Sequence, residues 1–360
     1  MPDRFVHIIE ASATGTLSMA AMLAGKQASG GARVLVIYSE REETPKNISE
    51  MFGESVQLIK VDMSSLKGKL ISFFIVRKLL KSFGVSVVIL HSSFAGFIGR
   101  ISSLLIGSEF RLFYIPHCIS FMRKDAGQFK KTIFLFLEWV AALKRCTYLA
   151  CSESERKIIQ AYIPFRECRL VENAVEMPPV VSVETSKRAK TVMTVGGIRP
   201  QKGPREYAEI ARAFSTIMPD VEFVWIGDGD PELKKVLVDA DVRVTGWLER
   251  SEVCEQLRLA GVYVSTAHWE GMPVSVIEAM YSQLPVVASR CAGNVDVVKH
   301  EDNGWLFDLP AEACERIENL FRDPGLAEQT AKRAYADACT RFTPERYFQT
   351  MSDIMQPSTL

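Results

Sequence analysis

Twice along this chain, short apolar runs rich in β-branched residues alternate with longer amphipathic stretches. An apolar run of about four to eight residues between turn signals reads as a strand covered on both faces. Regular alternation of such runs with helix-length segments reads as βαβ units around a parallel sheet. In the first half, Phe5–Ile9, Val34–Tyr38, Val56–Val61, Val85–Leu90, Leu112–Ile115 and Tyr148–Ala150 are the expected strands, with helices over Leu17–Ser29, Leu66–Ser82, Ala95–Ile106 and Gln128–Leu143. The second half repeats the plan with strands Thr191–Val195, Glu222–Ile226, Val242–Thr245, Val262–Ser265 and Val286–Ala288. Its expected helices are Pro204–Met218, Pro231–Ala240, Arg250–Ala260, Val274–Tyr281 and Ala311–Phe321.

Between the halves, Asn173–Lys190 carries a Pro-Pro pair and a polar tail, the composition of a linker. The 360 residues therefore divide into two expected Rossmann-like α/β domains, 1–174 and 175–342. A tail over about 343–356 is amphipathic and opens Thr-Pro-Glu, an N-cap followed by Pro at the first helical position. It is expected to pack back on the first domain. Open parallel sheets bind ligands at the carboxyl ends of their strands, so two in tandem predict a cleft between facing sheets, with the chemistry on the loops after the strands.

Composition narrows the class. Lys plus Arg equals Asp plus Glu at 43 each, which gives no reason to expect nucleic acid as a partner. The eight cysteines form no CxxC pair and read as thiols of a reducing compartment, neither a disulfide framework nor a zinc site. No segment reaches the roughly 18 apolar residues of a membrane span. The nearest, Ile133–Leu143, is short and carries Glu138. The expected location is cytoplasmic.

The strongest chemical signal is His268–Met280, HWEGMPVSVIEAM, at a strand-to-helix joint. Gly271 permits a tight turn, Pro273 presets the first helical turn, and the free amides of that turn suit a diphosphate. Glu270 and Glu278, eight residues apart, can both accept hydrogen bonds from sugar or ribose hydroxyls. The second signal is Val195–Gly203, VGGIRPQKG, where Arg199 and Lys202 can neutralise a leaving diphosphate. His117 follows a strand end in a Pro-His step, and His91 and Ser92 end another strand, with helix-start capping the competing role for the serine. His7 lies inside a strand and reads as packed. Asp228-Gly229-Asp230 has Asp-x-Asp spacing but reads as a turn, so no metal is expected.

The segment EGMPVSVIEAM resembles the paired-glutamate motif of the family-four retaining glycosyltransferases, which have the GT-B fold. Similar features recur along the whole chain: Ala13–Thr16, His91–Gly96, Pro116-His117, Ser152, Asn173–Val175, Val195–Gly203, Gly227–Gly229 and Gly304. The resemblance implies a hexosyltransferase that moves a sugar from a nucleotide diphosphate to a glycan or polyprenyl-linked acceptor with retention, in surface polysaccharide or lipopolysaccharide synthesis. It implies that Glu278 binds the ribose, that Glu270 holds the donor sugar, and that the backbone of the segment Gly271, Met272, Pro273 and Val274 reaches sugar and phosphates. Gly196, Arg199 and Lys202 would attend the diphosphate. Gly15 and Thr16 match the family's small-residue loop near the donor phosphates. His91, Ser92 and His117 would lie on the acceptor side, with His117, Glu270, Arg199 and Lys202 serving the reaction. No cofactor is implied beyond the donor. The family usually has Arg where this chain has Gly197, and Arg199 is the nearest replacement.

Two basic stretches, Leu66–Lys81 and Arg123–Lys131, either rest on an anionic membrane or are solvated faces of packed helices. A nucleotide-sugar epimerase, another GT-B enzyme, or a non-catalytic glycosyltransferase-like binding subunit are the competing functions. A nicotinamide dehydrogenase would need G-x-G-x-x-G after the first strand, and Ala11–Thr16 does not supply it.

Overall fold

The structure, a computed structural model, describes residues 3–10, 14–41, 44–45, 47–104, 106, 110–176 and 188–356. Most of the expected linker and Ala13 of the first loop lie outside these residues. The chain forms two compact units, Met1–Asn173 with Phe348–Leu360, and Ala174–Tyr347.

In the first unit, seven parallel strands run β1 (Arg4–Ile9), β2 (Arg33–Tyr38), β3 (Val56–Lys60), β4 (Val87–His91), β5 (Arg111–Ile115), β6 (Thr147–Ala150) and β7 (Cys168–Leu170). Their spatial order is 3-2-1-4-5-6-7. The helices are α1 (Thr14–Ser29), α2 (Ile48–Phe52), α3 (Leu66–Phe83), α4 (Ser93–Ser103), α5 (Gln128–Ala141) and α6 (Glu153–Tyr162). The strands are apolar on both faces because helices cover both, as a parallel sheet requires. Helix α1 starts three residues earlier than its apolar periodicity suggests. Gly15 and Thr16 are thus in its first turn and not in the loop the family resemblance implies.

The second unit holds β8 (Thr191–Val195), β9 (Glu222–Ile226), β10 (Arg243–Val244), β11 (Val262–Ser265), β12 (Val286–Ser289) and β13 (Trp305–Phe307), in the order 10-9-8-11-12-13. Its helices are α7 (Pro204–Ile217), α8 (Pro231–Val238), α9 (Arg250–Leu259), α10 (Val274–Tyr281), α11 (Asn294–Val297), α12 (Pro310–Arg322) and α13 (Pro324–Arg341). One core gathers Val192, Tyr207, Phe214, Trp225, Val264 and Ile317 between sheet and helices. The last helix, α14 (Pro344–Met355), is capped by Thr343, whose hydroxyl accepts the Arg346 N–H at 3.3 Å. Beyond Tyr347 it belongs to the first unit, where the Lys26 ammonium lies 5.6 Å from the Phe348 ring centre and Arg111 donates to the Met355 carbonyl.

In each sheet the strand order reverses once, between β1 and β4 and between β8 and β11. At such a switch point the crossover helices leave to opposite faces and open a crevice beyond the strand ends. The loops after these strands carry the residues considered next.

Candidate active site

In the second unit, the loop after β8 is laced to the loop after β11. The Thr266 hydroxyl donates to the carbonyls of Lys202 (2.9 Å) and Gly203 (2.8 Å). The His268 N–H donates to the Gln201 carbonyl at 2.8 Å, and the Gln201 amide returns to the Trp269 carbonyl at 3.0 Å. Approach this close requires glycine at 203. Its φ is +65°, and a Cβ there would overlap the Thr266 carbonyl.

The lacing brings the Lys202 ammonium to 2.8 Å from Glu270 Oε1, while the Gln201 amide reaches Oε2 at 3.3 Å. Burial disfavours the charge on Lys202. The Glu270 carboxylate, helped by Tyr263 and Cys291, outweighs it, and the pKa is raised. The site thus holds a locked ammonium at neutral pH. Glu270 is itself fixed from behind: its N–H donates to the Ala292 carbonyl at 2.9 Å, and Gly293, at φ +88°, has no room for a Cβ against Glu270. The left-handed glycine of this joint is therefore Gly293. Gly271 does not adopt positive φ, so the turn expected of it is made elsewhere.

Pro273 is the N-cap of α10, one place earlier than expected, and no side chain caps the helix. Gly271, Met272 and Pro273 are buried and Val274 begins the helix. Glu278, one turn on, is nearly buried, and desolvation raises its pKa against the pull of Arg250 and Lys202. The Arg250 guanidinium lies 3.6 Å from it and also donates to the Glu176 carbonyl at 2.9 Å. Arg250 has no motif to announce it. It reaches Glu278 only because α9 and α10 pack together.

Gly196 and Gly197 follow β8. The Gly196 carbonyl accepts the Trp225 indole N–H at 2.8 Å. A Cβ on Gly197 would lie 3.1 Å from Arg199 Nε and 3.4 Å from the Trp247 ring, so the Arg199 side chain passes over the space above Gly197. Asp228 pairs with Lys234 at 3.0 Å, and Asp230 caps α8 through the Glu232 and Leu233 amides. Among the described residues, no group of three or more His, Cys, Asp or Glu is placed to hold a metal ion.

In the first unit, His91 is fully buried at the end of β4. Its Nε2 is 3.0 Å from His7 Nδ1 and its Nδ1 is 3.2 Å from His117 Nε2. Both ring nitrogens are engaged and the ring is fully buried, so His91 presents no free ring nitrogen. His7, packed as expected, is also hydrogen bonded on both sides, with Nε2 2.7 Å from Gln27 Oε1. Ser92 occupies the N-cap of α4, yet its hydroxyl makes no capping bond.

His117 and Cys118 adopt φ +53° and +92°, uncommon for residues with a side chain. The buried Glu155 carboxylate holds this turn. One oxygen accepts the Cys118 and Ile119 amides, each at 2.8 Å, and the other accepts the Cys151 amide at 2.9 Å. Ser152, the N-cap of α6, fixes Glu155 by accepting its N–H at 3.1 Å. Ser152 and Glu155 fit the S-x-x-E signature of a helix start, but the tertiary use of that glutamate is not visible in it.

Two doubly wound units, with a fixed ammonium–carboxylate pair and a second glutamate at the switch point of one, have the architecture of the GT-B type. A family model for glycosyl transferases group 1 matches residues 189–323. The chain is 31% identical over 285 residues to the Escherichia coli UDP-Gal:alpha-D-GlcNAc-diphosphoundecaprenol alpha-1,3-galactosyltransferase, covering 71% of this chain and 68% of that one. It belongs to the group 1 glycosyltransferase family. Among solved structures, Anabaena Alr3699/HepE in complex with UDP and glucose superposes with a TM-score of 0.80 at 16% identity, covering 98% of this chain and 99% of the other. The apo lipopolysaccharide outer core galactosyltransferase WaaB does so with a TM-score of 0.72 at 17% identity, covering 97% and 98%. The fold is GT-B, and the protein is a glycosyltransferase.

Proposed function

We propose that this enzyme moves a hexose, with retained configuration and without an essential metal, from a nucleotide diphosphate to a hydroxyl of a polyprenyl-diphosphate-linked glycan in surface polysaccharide or lipopolysaccharide assembly. The observation that carries the donor half is the Lys202–Glu270 pair at 2.8 Å beside the uncapped start of α10. In this reading Glu270 orients the sugar, and Lys202, Gly196 and the N–H groups of Gly271, Met272 and Val274 take the diphosphate. Arg199, folded over Gly197, supplies the second cation that the family places at that position. Glu278, restrained by Arg250, takes the ribose. Positioning and stabilisation of the leaving charge do the catalytic work. His117 belongs to the acceptor. The acceptor class draws on the E. coli relative, whose name states a diphosphoundecaprenol substrate. The test screens UDP-hexoses first, by thermal shift and then by transfer to a synthetic polyprenyl-diphosphate GlcNAc. Epimerised donor or sugar phosphate in place of a new glycosidic bond, or transfer undiminished in both Glu270→Ala and Lys202→Ala, would defeat the reading.

We further infer that the first unit rests on an anionic membrane through α3 and α5, which both pack against α4. Leu70 and Phe74 on α3, and Phe129, Phe136 and Trp139 on α5, are exposed, Phe129 and Phe74 by 79% and 75%. Exposed Lys67, Lys78, Lys81 and Lys130 accompany them. Helix α3 contains no acid, and the single acid of α5, Glu138, is hidden against Arg100 at 2.6 Å. Apolar side chains edged by exposed lysines suit a lipid interface. Arg123 is engaged by Asp125 at 2.7 Å and adds little. No helix among the described residues is long and apolar enough to cross a membrane. Co-sedimentation with phosphatidylglycerol vesicles but not phosphatidylcholine vesicles, lost in Phe74→Ser/Phe136→Ser, is the expected result. Equal sedimentation of that variant would refute it.

A further inference from the structure

Gln27, His7, His91 and His117 form one hydrogen-bonded row, with contacts of 2.7, 3.0 and 3.2 Å. The three imidazoles are nearly parallel, at 13° and 14° between neighbours, with ring centres 5.3 and 5.5 Å apart. They come from β1, β4 and the turn after β5, and His7 and His91 are wholly buried. The parallel register pairs His7 with Ile89 and His91 with Ile9, both isoleucines fully buried, so polar rings here displace apolar packing. The backbone is strained where the row meets the turn: Ser92, His117 and Cys118 all have positive φ. Strain of this kind collects where a fold holds a functional group in a set orientation.

A neutral imidazole carries one proton, so each ring in such a row donates at one end and accepts at the other. The direction at one end then sets every other ring. Gln27 presents its carbonyl oxygen to His7, and a carbonyl only accepts. With the Gln27 amide in this orientation the proton of His7 belongs on Nε2, which leaves its Nδ1 to accept from His91 Nε2. The same step repeats to His117, whose proton lies on Nε2 and whose Nδ1 is left as a lone pair outside the row.

We propose that Gln27, His7 and His91 are positioning residues that hold His117 as its Nε2–H tautomer, so that His117 Nδ1 receives a hydrogen bond from the acceptor hydroxyl. The acceptor half rests on the glycosyl-transfer reading; the tautomer half does not. Gln27 is the directing group. Turning its amide over would put a donor against His7, reverse each bond in turn and make His117 Nδ1 a donor.

Long-range proton–nitrogen correlation on the full chain with 15N-labelled histidine tests this at pH 7.5, since protonated and bare ring nitrogens resonate far apart. Assignment needs to separate only five histidines. Three neutral Nε2–H rings are expected for His7, His91 and His117. Mixed tautomers, or Nδ1–H rings, in the wild type would overturn the proposal, whatever any variant does to folding. In Gln27→Met the acceptor is gone, and a buried N–H without a partner is costly, so the row should reverse to Nδ1–H. Transfer kcat should then fall about tenfold, the loss of one hydrogen bond, with donor KM unchanged. Reversal of the tautomers with kcat unchanged would overturn the acceptor-facing role. Wild-type tautomers as expected in a protein with no transferase activity would sustain the row and overturn the glycosyl-transfer reading instead.

Discussion

Lys202 and Glu270 are 68 residues apart in sequence and 2.8 Å apart in space. Neither element carrying them is long: a single 3-10 turn, Pro200–Lys202, bears the lysine, and an irregular loop bears the glutamate. Their meeting depends on the hydrogen bonds from Thr266, His268 and Gln201 that tie the two loops together. A charge fixed before the substrate arrives needs no reorganisation as the glycosidic bond breaks.

Removing one member of this pair should cost both activity and stability. Among the described residues, Lys202→Ala leaves the buried Glu270 carboxylate with only the Gln201 amide. We expect turnover to fall about 100-fold or more, as when one preorganised charge partner is lost. Unfolding free energy should drop by about 2–4 kcal/mol, since an unpaired buried charge remains. Lys202→Met/Glu270→Gln should recover much of the stability and none of the activity. Urea unfolding beside a transfer assay separates the two.

Gly203 and Gly31 both have positive φ, +65° and +87°, but only Gly203 is crowded. Gly31→Ala should cost about 1 kcal/mol, the left-handed penalty alone. Gly203→Ala adds overlap with the Thr266 carbonyl and should cost about 3 kcal/mol or more. It should also lower turnover by loosening Lys202. Thermal denaturation of the pair provides the comparison, and equal losses would contradict the close approach of the two loops.

Acid should destabilise the first unit through its histidines. Burial lowers the pKa of His7 and of His117 from 6.5 to about 4, and burial, then the neighbouring His7 and His117, hold His91 well below its usual value. In the unfolded chain these rings bind protons below about pH 6.5, while the folded state resists protonation. Stability is therefore full above that pH and falls as pH drops from about 6.5 towards 4. His7→Gln should flatten this part of the profile measured by urea unfolding. An unchanged slope would mean that His7 is not the buried neutral base described.

Glu155→Ala should undo the turn that carries His117. It strands the amides of Cys118, Ile119 and Cys151, at about 1 kcal/mol or more for each lost partner, so a total near 3 kcal/mol is expected. Glu155→Gln keeps one accepting oxygen and should fall between. Hydrogen exchange at Cys118 and Ile119 reports the effect locally, and protection in Glu155→Ala equal to wild type would rule it out.

Most strands were legible because a parallel strand covered on both faces is a plain apolar run, as in Val34–Tyr38 and Thr191–Val195. The three-residue edges β7 and β13 are too short to show a period. Helix α13 escaped because its buried face is largely alanine, Ala327, Ala331, Ala334 and Ala338, which contrasts weakly with its polar side. Small residues at a strand-to-helix joint serve either conformation, so local sequence does not separate a loop from a first helical turn at Gly15 and Thr16.

The sequence by itself determined the doubly wound plan of each half and the family, because periodicity, glycines and the paired glutamates of EGMPVSVIEAM are local signals. Only the tertiary structure decided what those residues touch. The Lys202–Glu270 pair, the Arg250–Glu278 contact and the row from Gln27 to His117 each join separate elements. Sheet order and loop packing, which no local pattern encodes, set those meetings. For the same physical reason His7 reads as packing in one dimension and becomes part of a directed hydrogen-bond row in three.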